Sequence, residues 1–255
     1  MQAQTETTAT YAVAIENLTK EFADVRAVDG LSLMISEAEV FGLLGPNGSG
    51  KTTTINCLTG LLKPTSGSIH VGGFDVGAEG SKARAILGVS PQETAIYPYL
   101  TGRENVQLFG ELCSVPRKLL RARVDTMMEK VGLLDEAGRR VGKYSGGMKR
   151  RVSIAMALVH DPRIILLDEP TVGMDPQSRR AIWDFILELK DKGKTIVLTT
   201  HYMEEAEELC DRVGIVDHGR LIALGSPAEL RSKYGARDLE DLFIQLTGRR
   251  IREGS

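Results

Sequence analysis

Gly45, Pro46, Asn47, Gly48, Ser49, Gly50, Lys51 and Thr52 follow an apolar run, Val40 to Leu44, and precede helix-compatible sequence. Their spacing, G-x-x-x-x-G-K-[ST], gives each position a mechanical task. Small residues bring backbone N–H groups close to phosphate oxygens, and the N-terminus of the following helix adds its positive pole. Lys51 then reaches the β- and γ-phosphates, Thr52 offers its hydroxyl to Mg²⁺, and Thr53 completes the contacting set. The pattern predicts a P-loop and a nucleoside triphosphate ligand, with ATP and Mg²⁺ as the expected pair. A second run, Ile164 to Leu167, lies between Pro162 and Pro170 and ends in Asp168 and Glu169. It reads as a buried parallel strand with two carboxylates at its end, the Walker B pattern. Asp168 is placed to hold Mg²⁺ through its water shell, and Glu169, on the other side of the strand end, to polarise an attacking water.

Between these two segments stands Tyr144, Ser145, Gly146, Gly147, Met148, with Ser145 23 positions before Asp168 and N-capping a helix that runs to about Val159. A hydroxyl, bare amides and a helix dipole aimed at one point make a second phosphate site. Taken alone, Ser-Gly-Gly is only a flexible turn. Between a P-loop and a Walker B strand it resembles the signature of the ABC ATPase family, written L-S-G-G-Q. The resemblance extends over roughly residues 13 to 225, in order and at compatible spacing.

That resemblance implies roles for further residues. His201, after the strand Thr195 to Thr200, matches a family histidine that contacts the γ-phosphate. Gln92, after the strand Ile86 to Ser90, matches a glutamine that joins Mg²⁺ and the attacking water to the transporter interface. Thr171 to Asp175 resembles the D-loop, and Phe22 stands where an aromatic stacks on adenine, although a core role fits it equally. The family's mechanism implies a homodimer closing head to tail on two ATP molecules, each P-loop facing the partner's Ser145, Gly146, Gly147 and Met148. It also implies a separate integral membrane permease subunit and a place on the cytoplasmic face of the cell membrane.

Two departures stand out. Tyr144 and Met148 replace Leu and Gln of the signature, and a thioether cannot reproduce an amide's hydrogen bonds. Val172 and Gly173 stand where Ser and Ala are commoner. The phrases YSGGMKRR, TVGMDPQSRR and HYMEEAEELCDRVGIVDHGR resemble bacterial exporter ATPases, nearest to the daunorubicin-resistance type, which shares a branch with lipid, polysaccharide and nodulation-factor export. A soluble ABC ATPase that remodels ribosomes or nucleic acid is the alternative. DNA-end relatives insert a long coiled coil, whereas here about 85 residues separate Gly60 from Ser145 with no sustained heptads.

The elements that must hold these residues follow from composition and punctuation. With 255 residues and 42% apolar content, one substantial core plus an inserted subdomain is expected. A net charge of −2 and 5% aromatics argue against an extended nucleic-acid groove. Three scattered cysteines without metal-ligand spacing suit a reducing, cytoplasmic setting. Neither a secretory signal nor a membrane-spanning run is legible. The expected fold is α/β: a P-loop NTPase core of the RecA type with a mainly parallel sheet, an N-terminal antiparallel β subdomain and an inserted α-helical subdomain. A disordered tail is expected over 1–11 and an ATPase domain over 12–235, with the helical insert at about 92–150. The pattern turns helical from Gln92, with Val106, Phe109 and Leu112 or Cys113 on one stripe and Leu120, Val124, Met127, Met128 and Val131 on another. A C-terminal helix carries Leu239, Leu242, Phe243 and Leu246 and ends in the basic tail Arg249, Arg250, Arg252, within 236–255.

Overall fold

The computed structural model describes residues 11–248. The chain runs β1 (Tyr11–Phe22), β2 (Val25–Ser36), β3 (Val40–Leu44), α1 (Lys51–Leu58), β4 (Ser66–Val71), β5 (Phe74–Asp75), α2 (Gly80–Ala85) and β6 (Leu87–Ser90). It continues through α3 (Gly102–Leu112), α4 (Arg117–Lys130), α5 (Gly146–Leu158), β7 (Ile164–Asp168), α6 (Pro176–Asp191) and β8 (Thr195–Thr200). Last come α7 (Met203–Leu209), β9 (Arg212–Asp217), β10 (Arg220–Gly225), α8 (Pro227–Tyr234) and α9 (Leu239–Thr247).

Two sheets result. An antiparallel sheet has the order β2-β1-β4-β5, and a six-stranded sheet has the order β10-β9-β3-β8-β7-β6. Within the second, β9, β3, β8, β7 and β6 are parallel, and only the β9–β10 hairpin is antiparallel. Parallel strands covered on both faces read as unbroken apolar runs, and β3 and β7 are buried at every position. Their alternation divides two cores. Val40 and Leu44, Ile165 and Leu167, and Ile196 and Leu198 face the helices, whereas Phe41 and Leu43, Ile164 and Leu166, and Val197 face the antiparallel sheet and α1. The consequence for function is alignment: β3, β8, β7 and β6 all end on one edge, where ligands sit in open parallel sheets.

The helical segment starts later than its sequence pattern suggests. Residues 92–100 form an irregular loop with a turn at Pro98–Tyr99, and α3 opens at Gly102. Pro91 and Pro98 cannot donate to a helical ladder. The buried Asn105 side chain instead ties this stretch down, accepting from the Tyr97 amide (2.8 Å) and donating to the carbonyls of Tyr97 (3.1 Å) and Thr101 (2.9 Å). A Thr101–Glu104 capping box then starts α3. Val106 is buried, but Leu112 is 67% exposed, because α3 ends there and its stripe closes at Gly110. On α4, Leu120, Val124 and Met128 are buried. In α9 Leu239, Leu242 and Phe243 are fully buried against the chain's own core. Tyr11, placed by sequence in a tail, belongs to β1 and pairs with Ser36. The remainder of that tail and Arg249, Arg250 and Arg252 lie outside the described residues.

Helix α5 is locked to β6. The Ser90 and Ser153 hydroxyls meet at 3.0 Å in the interior, and a Cβ at Gly88 would collide with the Ala157 carbonyl oxygen and lie 2.7 Å from Pro162 Cγ. Replacing Gly88 with Ala is therefore expected to cost about 1–3 kcal/mol of stability, the usual range for overpacking, read as a lowered denaturant midpoint at unchanged slope; an unchanged midpoint contradicts this close approach.

Candidate nucleotide site

The loop from Gly45 to Gly50 leaves β3 and delivers the chain into α1. It is built so tightly that two of its glycines have no substitute. A Cβ at Gly45 would strike the Val216 carbonyl oxygen and the Ser49 hydroxyl, and one at Gly50, whose φ is 105°, would strike the Ala27 carbonyl oxygen. No side chain caps α1, so its first-turn amides are available to an anion. Ser49 Oγ is buried without a hydrogen-bond partner among the described residues. An orphaned hydroxyl, free amides and an open face at Gly48, where a Cβ would meet nothing, together fit a phosphate group. Lys51 is 5% exposed and its Nζ donates to the Gly45 (2.8 Å) and Pro46 (3.1 Å) carbonyls, 3.9 Å from Glu169 Oε1. Burial lowers its pKa, and the Glu169 and Asp168 charges oppose that shift.

Glu169 takes a backbone conformation that L-residues rarely adopt, with φ at 53°. Its amide donates to both the carbonyl oxygen (3.1 Å) and the hydroxyl (3.0 Å) of Thr199, and these bonds hold the strained position. Its carboxylate is then met from three loops. His201 Nδ1 lies 3.1 Å from Oε1, Gln92 Nε2 donates to Oε2 at 3.3 Å, and Lys51 stands behind. The His201 hydrogen bond is the largest influence holding its pKa below the ordinary 4.5; burial pushes the other way, and the charges of His201, Lys51 and Arg150 add to the lowering. A carboxylate kept ionised at a strand end, next to a basic cleft, is suited to orient and deprotonate water.

Asp168, 2% exposed, accepts a hydrogen bond from the Thr199 hydroxyl. Thr52, Gln92 and Asp168 line one cleft. A hydroxyl, an amide and a carboxylate are the oxygen donors Mg²⁺ takes, and Mg²⁺ completes its shell with waters and substrate phosphates. Among the described residues no three or more His, Cys, Asp or Glu side chains converge as a metal cage.

Ser145 caps α5 by accepting from the Met148 amide at 3.2 Å. Ser145 and Gly146 are exposed, while Met148 is half-buried with its sulfur 3.6 Å from an Arg139 guanidinium nitrogen. Tyr144 is a buried strut whose hydroxyl donates to the Glu136 carbonyl at 2.5 Å. Asp175 caps α6 at Ser178. Phe22 is 43% exposed with Lys20 Nζ 4.9 Å from its ring centroid, so it is not a core residue. Its hairpin partner Val25 lies two residues from Ala27, which touches the P-loop.

Two buried charged residues at the site escape a motif search. The Arg150 guanidinium donates to main-chain carbonyls on both sides of Glu169 and at Gln92. Glu205 Oε1 accepts from Thr171 (2.7 Å) and Trp183 Nε1 (3.0 Å), tying the D-loop segment to the helix that follows His201, and burial raises its pKa. Their signal is a charge on an apolar helical stripe. Arg150 shares i, i+3, i+4, i+7 spacing with Ser153, Ile154 and Ala157, all buried, and Glu205 shares a buried face with Ala206 and Leu209.

A family model described as ABC transporter matches residues 28–172. The chain is 44% identical over 238 residues to the linearmycin resistance ATP-binding protein of Bacillus subtilis, covering 93% of this chain and 75% of that protein. It is 41% identical to a daunorubicin resistance ATP-binding protein of Streptomyces coeruleorubidus, at 93% and 75% coverage. With a Nod factor export ATP-binding protein of Paraburkholderia xenovorans it shares 43% identity, at 91% and 76%. Among solved structures, an ATP-binding subunit of an ABC transporter superposes with a TM-score of 0.86 at 27% identity, over 92% of this chain and 99% of that one. A dimeric ATP-binding cassette in a post-hydrolysis state with ADP and Pi superposes with 0.78 at 29% identity, over 84% and 98%.

Because the His201 hydrogen bond is the main cause of Glu169's depressed pKa, His201→Ala should move that carboxyl's titration to higher pH. Carbon-13 NMR of labelled glutamate carboxyls, with the Glu169 signal assigned by its loss in Glu169→Gln, reads the shift; an unmoved midpoint contradicts the contact.

Proposed function

The chain belongs to the ABC transporter family, and from that membership we propose that it is the ATP-hydrolysing subunit of an exporter, driving a separate membrane permease by closing as a homodimer on ATP. Hydrolysis of ATP is the family's chemistry. The observation that carries the finer reading is the division of the site into two halves on one chain. Lys51, Gln92, Glu169 and His201 converge in one cleft, while Ser145 and Gly146 present an open helix N-terminus to solvent. Each half is completed by the opposite half of a second copy.

In this reading the P-loop amides and Lys51 bind the β- and γ-phosphates, and Phe22 stacks on the adenine. Glu169 takes the proton from the attacking water, and His201 and Gln92 hold Glu169 and the γ-phosphate in register. Thr52, Gln92 and Asp168 would hold Mg²⁺, whose charge would offset that developing on the phosphate oxygens. The partner's Ser145, Gly146 and Gly147 close on the same γ-phosphate. ATP favours the closed pair because it touches both chains, and a ligand moves such an equilibrium only through its differential affinity for the two states. Cleavage of the γ-phosphate removes the bridge and lets the pair open.

Among the described residues no helix is long and apolar enough to cross a membrane; in this reading a separate membrane subunit carries the transport path. Leu61 (74% exposed) lines the same cleft as Gln92, and Tyr97 (51%) and Tyr99 (84%) are exposed on the loop that follows Gln92; together they form the surface proposed to dock it. The relatives are named for resistance to linearmycin and daunorubicin and for Nod factor export, which supports the reading of this chain as part of an exporter of a drug, lipid or polysaccharide-like substrate.

Glu169→Gln is expected to lower turnover by about 10²–10⁴-fold, the usual worth of a general base, while the variant accumulates an ATP-dependent dimer on size-exclusion chromatography. Adding Ser145→Arg should abolish that dimer with nucleotide binding retained. Near-parental turnover in the first variant, or a surviving dimer in the second, overturns the assignment.

A further inference from the structure

Arg150 is 4% exposed and sits on α5, five residues after the Ser145 cap. At 1.5 Å per residue that is about 7.5 Å along the helix. Every hydrogen bond described for its guanidinium goes to a main-chain carbonyl. Nη1 donates to Pro91 and, at 3.3 Å, to Gln92; Nε donates to Pro170 at 3.3 Å; Nη2 donates to Asp168. No carboxylate pairs with it among the described residues, and burial lowers its pKa to about 10 against the favourable charges of Asp168, Glu169 and Glu205. A buried cation without an ion-pair partner is costly, and it persists where its donors are satisfied by fixed dipoles.

The identity of the four carbonyls is informative. Pro91 and Gln92 form the loop after β6, whose Gln92 side chain reaches the Glu169 carboxylate. Asp168 and Pro170 flank Glu169 itself at its left-handed backbone. One rigid, planar fork therefore spans both loops and fixes their separation. The same helix presents the Ser145, Gly146, Gly147 half-site at its N-terminus, under two turns from Arg150, so a γ-phosphate held there bears on the helix that carries the guanidinium.

We propose that Arg150 is a positioning residue that couples the Ser145–Gly147 half-site of a chain to the Gln92–Glu169 pair of the same chain, so that engagement of the partner's ATP sets the geometry for hydrolysis at the chain's own ATP. This rests on the two-half-site reading above. It also gives α5 a task that the signature motif alone does not contain.

The test uses the full chain carrying Arg150→Met, Arg150→Lys, Gln92→Ala or the Arg150→Met/Gln92→Ala pair, each also in the Glu169→Gln background. For Arg150→Met and Arg150→Lys the expected result is ATP affinity, from fluorescent-nucleotide titration, within about threefold of the parent, and an ATP-dependent dimer retained in the Glu169→Gln background. Turnover should fall about 10- to 100-fold in Arg150→Met, the scale of losses from misplaced catalytic groups, and less in Arg150→Lys. The double variant should lose no more than the worse single one, because both residues act through one contact. Turnover within threefold of the parent, loss of the dimer alongside turnover, or multiplicative losses in the double variant each overturn the proposal. Arg150→Lys carries the same readings if Arg150→Met does not fold. Hydrolysis by the parent and dimerisation of Glu169→Gln alone test the underlying reading separately.

Discussion

The Glu169 carboxylate is reached by donors from three other loops, and the architecture is what lets them meet. Lys51 opens α1 after β3, His201 follows β8, Gln92 follows β6 and Glu169 follows β7. None of the four is near another in sequence except through the sheet. Parallel pairing of β3 with β8, β8 with β7 and β7 with β6 brings their carboxyl ends to one edge. The arrangement is strained at its centre, since Glu169 is held with positive φ by two hydrogen bonds from its amide to Thr199. Such strain persists only where the surroundings over-determine it, and here the two cores on either face of the sheet do so.

The other half of the site has the opposite character. Ser145 and Gly146 are exposed, and the helix they open is anchored below by Gly88, Ser90 and Arg150. In the proposed reading, a half-site that faces solvent on a firmly seated helix receives a ligand delivered from outside the chain. The departures at Tyr144 and Met148 leave this intact. Tyr144 exchanges an aliphatic contact for a buried ring with a hydrogen bond to Glu136, and Met148 turns its sulfur to Arg139. The amides of the turn, which no side chain alters, remain in place.

Much of this was legible in the sequence where local chemistry dictates structure. The P-loop, the Walker B strand and the Ser145 cap each require particular residue types at fixed spacing, and each stands where expected. The apolar runs of β3 and β7 announced a parallel sheet. What the sequence left obscure depends on tertiary partners. Residues 92–100 carry a pattern compatible with helix, yet prolines and the Asn105 clamp make them a loop. The alternation of β3 between two cores, and the roles of Arg150, Thr199 and Glu205, arise from contacts more than 15 residues distant along the chain. For Arg150 and Glu205, a buried charge on a helical stripe was the local hint.

The central proposal is that this chain uses ATP hydrolysis to drive a separate membrane permease. Affinity purification of the chain from detergent-solubilised membranes of its native host, with mass spectrometry of whatever remains bound in stoichiometric amount, tests it most directly. The account predicts a polytopic membrane protein, retained on the Gln92–Tyr99 surface and released when Tyr99 and Leu61 are made charged. Recovery only in the soluble fraction, with ribosomal proteins, nucleic acid or no partner, would contradict it and favour an ABC ATPase that acts away from the membrane.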